Sequence, residues 1–167
     1  MMPQRRLFFA LPAALVLAGC GFRLRGAPDL AFRTLYVNAA ETSPIGNELK
    51  RNLASLGDLV LITDAALQPS AEAVLDILSE TREKTVVGMN TAGQVREFQL
   101  RSRIRFQLRT PKGKELIAPT ELLLKRDISF NESAVLAKEA EEGLMYRDMQ
   151  SDIVQQLIRR LAAVKSL

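Results

Sequence analysis

Val95-Arg96-Glu97-Phe98-Gln99-Leu100-Arg101-Ser102-Arg103-Ile104-Arg105-Phe106-Gln107-Leu108-Arg109-Thr110 is the stretch that decides the fold. Side chains alternate across an extended chain, so Leu100, Ser102, Ile104, Phe106 and Leu108 share one side. Arg101, Arg103, Arg105, Gln107 and Arg109 share the other. Turn-forming residues precede the run at 90–93 and follow it at Pro111-Lys112-Gly113-Lys114. Beyond those turns, residues 74–87 and 115–130 are also strand-compatible, the second broken near Pro119. Three long strands joined by tight turns predict an antiparallel meander.

Upstream, Thr34-Leu35-Tyr36-Val37 is a short β run. Ser43-Pro44 supplies a hydroxyl cap with proline at the first helical position. Ile45, Leu49, Leu53 and Leu56 then form one apolar stripe, Gly57 stops it, and residues 59–62 give a second short strand. That opening is β-α-β, consistent with a parallel pair; residues 64–70 are a connection. Downstream, Asn131 caps a long helix with apolar positions Ala134, Leu136, Ala140, Leu144, Met149, Ile153, Leu157 and Leu161. The expected architecture is an α+β two-layer sandwich. A mixed sheet of four or five strands carries two helices packed on one face.

Composition narrows the chemistry. The 167 residues contain no histidine, one cysteine and no tryptophan, with 47% hydrophobic, 25% charged and 5% aromatic residues. A Ser-His-Asp triad, a Cys-His pair, an internal disulfide and a thiolate metal cluster are all excluded. Few aromatics and a net charge of +4 are poor material for nucleic acid.

The lone cysteine stands where it matters. Arg5 and Arg6 precede an apolar run over residues 7–18, too short for a membrane span, which needs about 20 residues, and suited to a signal-peptide core. It ends in Leu17-Ala18-Gly19-Cys20, which resembles a bacterial lipobox. That resemblance implies a signal peptide at 1–19, a diacylglycerol thioether on Cys20 and a lipidated tether at 20–32. A single domain at 33–167 would then face the periplasm. Covalent lipid is the only prosthetic group expected. Gly21, in place of Asp, favours the outer membrane over inner-membrane retention.

Charge is uneven. Residues 96–126 hold nine basic side chains against three acidic ones. Arg101, Arg103 and Arg105 repeat about 6.5–7 Å apart along one strand face, a spacing at which guanidinium forks can capture several phosphates. The bland alternative is a solvated sheet face on which Asp76, Glu80, Glu121 and Asp127 pair with these arginines, each exposed pair contributing about 0–1 kcal/mol.

The lipobox running into Cys20-Gly21-Phe22-Arg23-Leu24-Arg25-Gly26 resembles the LptE (RlpB) family of lipopolysaccharide-assembly lipoproteins. The likeness continues through Arg96-Glu97-Phe98-Gln99-Leu100, Ser129-Phe130-Asn131, Leu136-Ala137-Lys138 and Gln156-Leu157-Ile158-Arg159-Arg160-Leu161. It implies a non-enzymatic protein that plugs and helps assemble the LptD β-barrel and assists insertion of lipopolysaccharide. It also places a family lysine at Lys138. The hairpin tip, basic in some relatives, here reads Asn90-Thr91-Ala92-Gly93, with Arg96 the nearest cation. The candidate lipopolysaccharide-binding set is therefore Arg96, Arg101, Arg103, Arg105, Lys125 and Lys138. The alternative is a periplasmic carrier holding an acyl chain between sheet and helices, which requires a large apolar pocket.

Overall fold

Alternation in the decisive run becomes a buried and an open side. Leu100, Ile104, Phe106 and Leu108 are fully buried, while Arg101, Arg103 and Arg109 are half-buried and Arg105 is exposed. The computed structural model describes residues 29–167. Within them β1 (Thr34–Asn38), α1 (Pro44–Ala54), β2 (Val60–Ile62), β3 (Ala73–Met89), β4 (Val95–Arg109), β5 (Glu115–Ser129) and α2 (Val135–Ala162) follow in order. The sheet runs β2-β1-β3-β4-β5. The β1–β2 and β1–β3 pairs are parallel and the β3–β4–β5 meander is antiparallel. The mixed α+β sheet of five strands is therefore as expected.

Both helices lie on the apolar side. Ile45, Leu49 and Leu53 of α1 and Ile153, Leu157 and Leu161 of α2 join Leu35, Leu75, Ile104, Phe106 and Leu108 in one core. Ser43 caps α1, its hydroxyl accepting from Gly46 N–H, with Pro44 at the start. Glu80 of β3 reaches the same terminus, accepting from the Ser43 hydroxyl and from Ile45 N–H. This carboxylate at a helix N-terminus stands on the helix side, so Glu80 does not pair with the arginines across the sheet.

Four expectations need correcting. The third meander strand is not broken at Pro119. β5 is an edge strand, where proline costs no ladder hydrogen bond, and an irregular register between Thr120 and Glu115 takes up two extra residues. Asn131 caps a single 3₁₀ turn at Glu132–Ala134, accepting from Ser133 N–H, and α2 starts after it. The apolar stripe of α2 is core only in its second half. Met149, Ile153, Leu157 and Leu161 are buried, whereas Leu136 is 82% and Leu144 54% exposed and Ala140 is exposed. Finally, the fold reaches back of residue 33, because Phe32 is 2% exposed and Leu30 packs against the core. The lipobox, Cys20 and residues 20–28 lie outside the described residues.

Core thickness varies along the sheet. β1 and β2 are five and three residues long, so five strands exist only at one end. Towards the β3–β4 turn the sheet is three strands wide. There α2 covers a small second cluster of Leu100, Ile128 and Met149.

Candidate functional site

Residues that face away from the helices form a charged layer on β3, β4 and β5. Arg101 stands between Glu83 and Lys125, Arg103 between Thr81 and Leu123, and Arg105 between Ser79 and Glu121. Arg101 Nε donates to Gln99 Oε1 at 2.9 Å and a guanidinium nitrogen lies 4.0 Å from Glu83. Gln99 in turn donates to Asp127 at 3.0 Å. Arg103 Nε is 3.6 Å from Glu121 Oε1, too long for a hydrogen bond, and this buried nitrogen has no hydrogen-bond partner. Arg105 and Lys125 have no carboxylate within 4 Å among the described residues.

One end of the layer is locked. Asp76 is 5% exposed and accepts from Arg109 Nε at 2.7 Å, Gln107 at 2.9 Å and Asn38 at 2.9 Å. Burial pushes its carboxyl up. The hydrogen bonds from Arg109, Asn38 and Gln107 and the charge of Arg109 outweigh that, and hold it below the ordinary carboxylate value.

The charge excess read along residues 96–126 therefore does not survive folding intact. Arg101, Arg103, Arg105, Arg109 and Lys125 share the open layer with Asp76, Glu83, Glu121 and Asp127. Arg126 belongs to the helix side, bonded to Asp152 at 3.2 Å, and Lys112 and Lys114 sit at the β4–β5 turn. Glu83 was missed because only the β3–β4 register, shifted at Leu78 and again near Gly88, brings it opposite Arg101. Among the described residues, what remains open to a ligand is Arg105 and Lys125.

Lys138 and Arg96 do not join this layer. Lys138 is in the first turn of α2, donating to Ser129 Oγ at 3.0 Å and Glu141 at 2.8 Å. It borders a cleft of ≈ 210 Å³ with Lys84, Phe98, Ile128, Phe130, Val135 and Glu142. Phe98 and Phe130 meet edge to face at 5.3 Å, and the Lys84 ammonium sits 4.4 Å above the Phe98 ring while bonding Glu142 at 2.6 Å. Two lysines beside two phenyl rings make an amphiphilic corner. Phe98 and Ile128 are register partners, a signal invisible before the strands are aligned. Arg96 is exposed at the start of β4 and its carbonyl accepts from Phe130 N–H at 2.7 Å.

Among the described residues, a one-sided sheet with a charged open face and an amphiphilic corner defines an α+β domain with two helices packed on its apolar face. The chain belongs to the LptE family, described as lipopolysaccharide-assembly, whose model matches residues 32–161 and so every element of the fold. It is 29% identical over 155 residues to the LPS-assembly lipoprotein LptE of Pectobacterium atrosepticum, covering 91% of this chain and 82% of that protein. To the namesake in Photorhabdus laumondii it is 26% identical over 154 residues, with the same coverages. Among solved structures it resembles a lipoprotein B from Nitrosomonas europaea, with TM-score 0.73, 34% identity and coverage of 86% of this chain and 91% of that one. The rare lipoprotein B of Shewanella oneidensis shares the fold, with TM-score 0.66, 23% identity and coverage of 78% and 95%.

Proposed function

We propose that this chain is an outer-membrane lipoprotein, acylated on Cys20. In this reading it plugs and helps assemble an LptD-type β-barrel and binds lipopolysaccharide through the cationic part of its open sheet face. The observation that carries this is the family match across the whole folded body, joined to an open face that no helix among the described residues covers. The layer between sheet and helices is filled by Leu35, Leu49, Leu75, Phe106, Ile153 and Leu157, all fully buried. A packed interior suits a plug that works by its outer surface, and it removes the space an acyl-chain carrier needs.

Lipopolysaccharide carries phosphates, and Arg105 and Lys125 offer charge-assisted donors worth roughly 1.5–3 kcal/mol each where water is partly excluded. The double variant Arg105→Gln with Lys125→Gln should weaken binding to purified lipopolysaccharide at least tenfold, about 1.4 kcal/mol. Unchanged affinity in a folded double variant hands the face to its own ion pairs. Pulling on the full-length protein from outer membranes in mild detergent should bring a stoichiometric large β-barrel. Failure to recover one rejects the plug.

A further inference from the structure

β3 is 17 residues long, yet β1 pairs with it only over residues 73–76. From Ile77 to the β3–β4 turn, one edge of the strand has no backbone partner among the described residues. The direction of its polar groups can be read from the next strand. Thr110 N–H donates to Lys114 O and Phe130 N–H to Arg96 O, so even-numbered β4 residues address β5 and odd-numbered ones address β3. Ser79, Thr81, Glu83 and Thr85, opposite odd-numbered β4 residues, therefore turn N–H and C=O inward. Glu80, Arg82, Lys84 and Val86 turn theirs to the open edge.

Proteins usually blunt such edges with charged side chains, proline or a covering helix. Here the guards are pulled aside: Glu80 to Ser43, Arg82 to Gln150 and the Tyr146 ring, Lys84 to Glu142. Residues 81–87 are all exposed, and Val86, Val87 and Met89 are 37%, 48% and 64% exposed. The register from Ser79 to Val86 is unbroken. A row of outward amides and carbonyls in regular register is matched by only one kind of surface, another extended backbone.

Pairing with a second copy is disfavoured by charge. Antiparallel registers centred on Glu83 or Lys84 set Arg82 on Lys84 with Glu83 on itself, or Lys84 on itself. One centred on Arg82 sets Arg82 on itself, and the Glu80–Lys84 pairs it would offer in return are already engaged by Ser43 and Glu142. A foreign strand with acidic or amide side chains at those positions and an aliphatic one beside Val86 fits instead.

We infer that the open edge of β3, from Glu80 to Val86, is a strand-addition site for an extended segment of that composition donated by the barrel partner. This rests on the plug reading above. Wall strands of a closed barrel are already paired, so the donated segment belongs to a loop or terminus of the barrel protein.

Proline tests it cleanly, because at Arg82 or Val86 it removes an outward N–H and no bond to β4. The full chain is coexpressed with the LptD-type barrel of the same cell, and barrel recovered per molecule is measured for Arg82→Pro, Val86→Pro, Arg82→Ala and Val86→Ala. The alanine variants should stay within about twofold of the parent, and the proline variants should lose at least about tenfold, one decade in affinity. All four should melt within about 5 °C of the parent. Equal capture by folded proline and alanine variants overturns strand addition while the plug reading stands. No capture by the parent overturns both. A parent dimer that Arg82→Pro dissolves overturns the barrel as donor in favour of a second copy.

Discussion

Asp76 holds the tightest polar knot on the open face, and its chemistry sets a pH dependence. Its folded carboxyl titrates below the unfolded value. The stabilisation is therefore fully present above the unfolded value and lost as pH falls through the folded one. Asp76→Ala should cost about 1–2 kcal/mol at about pH 7. That is the modest part of the range for an unsatisfied buried group, since Arg109 keeps a quarter of its side chain in water to screen it. Urea unfolding at about pH 7 and about pH 3 checks the sign, and the gap between parent and variant should narrow on acidification. A widening gap contradicts the assignment. Lys138 gives a different expectation. Its bonds to Ser129 and Glu141 pin the start of α2 to the end of β5, so Lys138→Ala should speed amide exchange in the first turns of α2 and leave the Leu157 region protected.

At the scale of the element, α2 divides. It is 28 residues, about 42 Å long, and only its second half lies over the five-stranded end of the sheet. Leu157→Ala should cost about 2–5 kcal/mol, a fully buried leucine leaving a cavity in the main core. Leu136→Ser should stay within about 0.5 kcal/mol, because that side chain is 82% exposed. Thermal melts of the two variants decide it, and comparable losses would mean that the first half of α2 is better covered than its exposure says. This contrast also explains what the sequence could reveal. Periodicity identified every long element, because alternation in Leu100–Leu108 and the stripe from Met149 to Leu161 are local properties of the chain. It assigned Leu136 and Leu144 to the core because a stripe names a face without saying whether a sheet lies beneath it. Likewise the arginine ladder was legible in β4 alone, whereas its carboxylate partners depended on register. Glu83 is brought in and Glu80 turned away by bulges in β3 that no spacing rule anticipates.

The whole molecule combines a packed body, a one-sided sheet and, in the proposed reading, a single lipid address. There is one cysteine in the sequence, so thioether acylation has no second site. Nine Cα–Cα steps lead from Cys20 to Asp29, a reach of at most about 32 Å, which keeps an anchored body close to the leaflet where a barrel partner would be embedded. Two attachments follow, acyl chains inserted in the membrane and a protein grip on the barrel, and they can be separated. Cys20→Ser should take up no labelled palmitate. It should melt like the parent, because Phe32, the first fully packed side chain among the described residues, stands twelve positions further on. With the barrel present, the variant should still fractionate with outer membranes, held by its surface. With the barrel depleted, the variant should become soluble while the acylated parent stays membrane-bound, since several acyl chains anchor stably at ~0.8 kcal/mol per buried CH₂. Persistent palmitate labelling would remove Cys20 as the anchor. A soluble variant in cells with a full complement of barrel would remove the protein grip, and with it the plug.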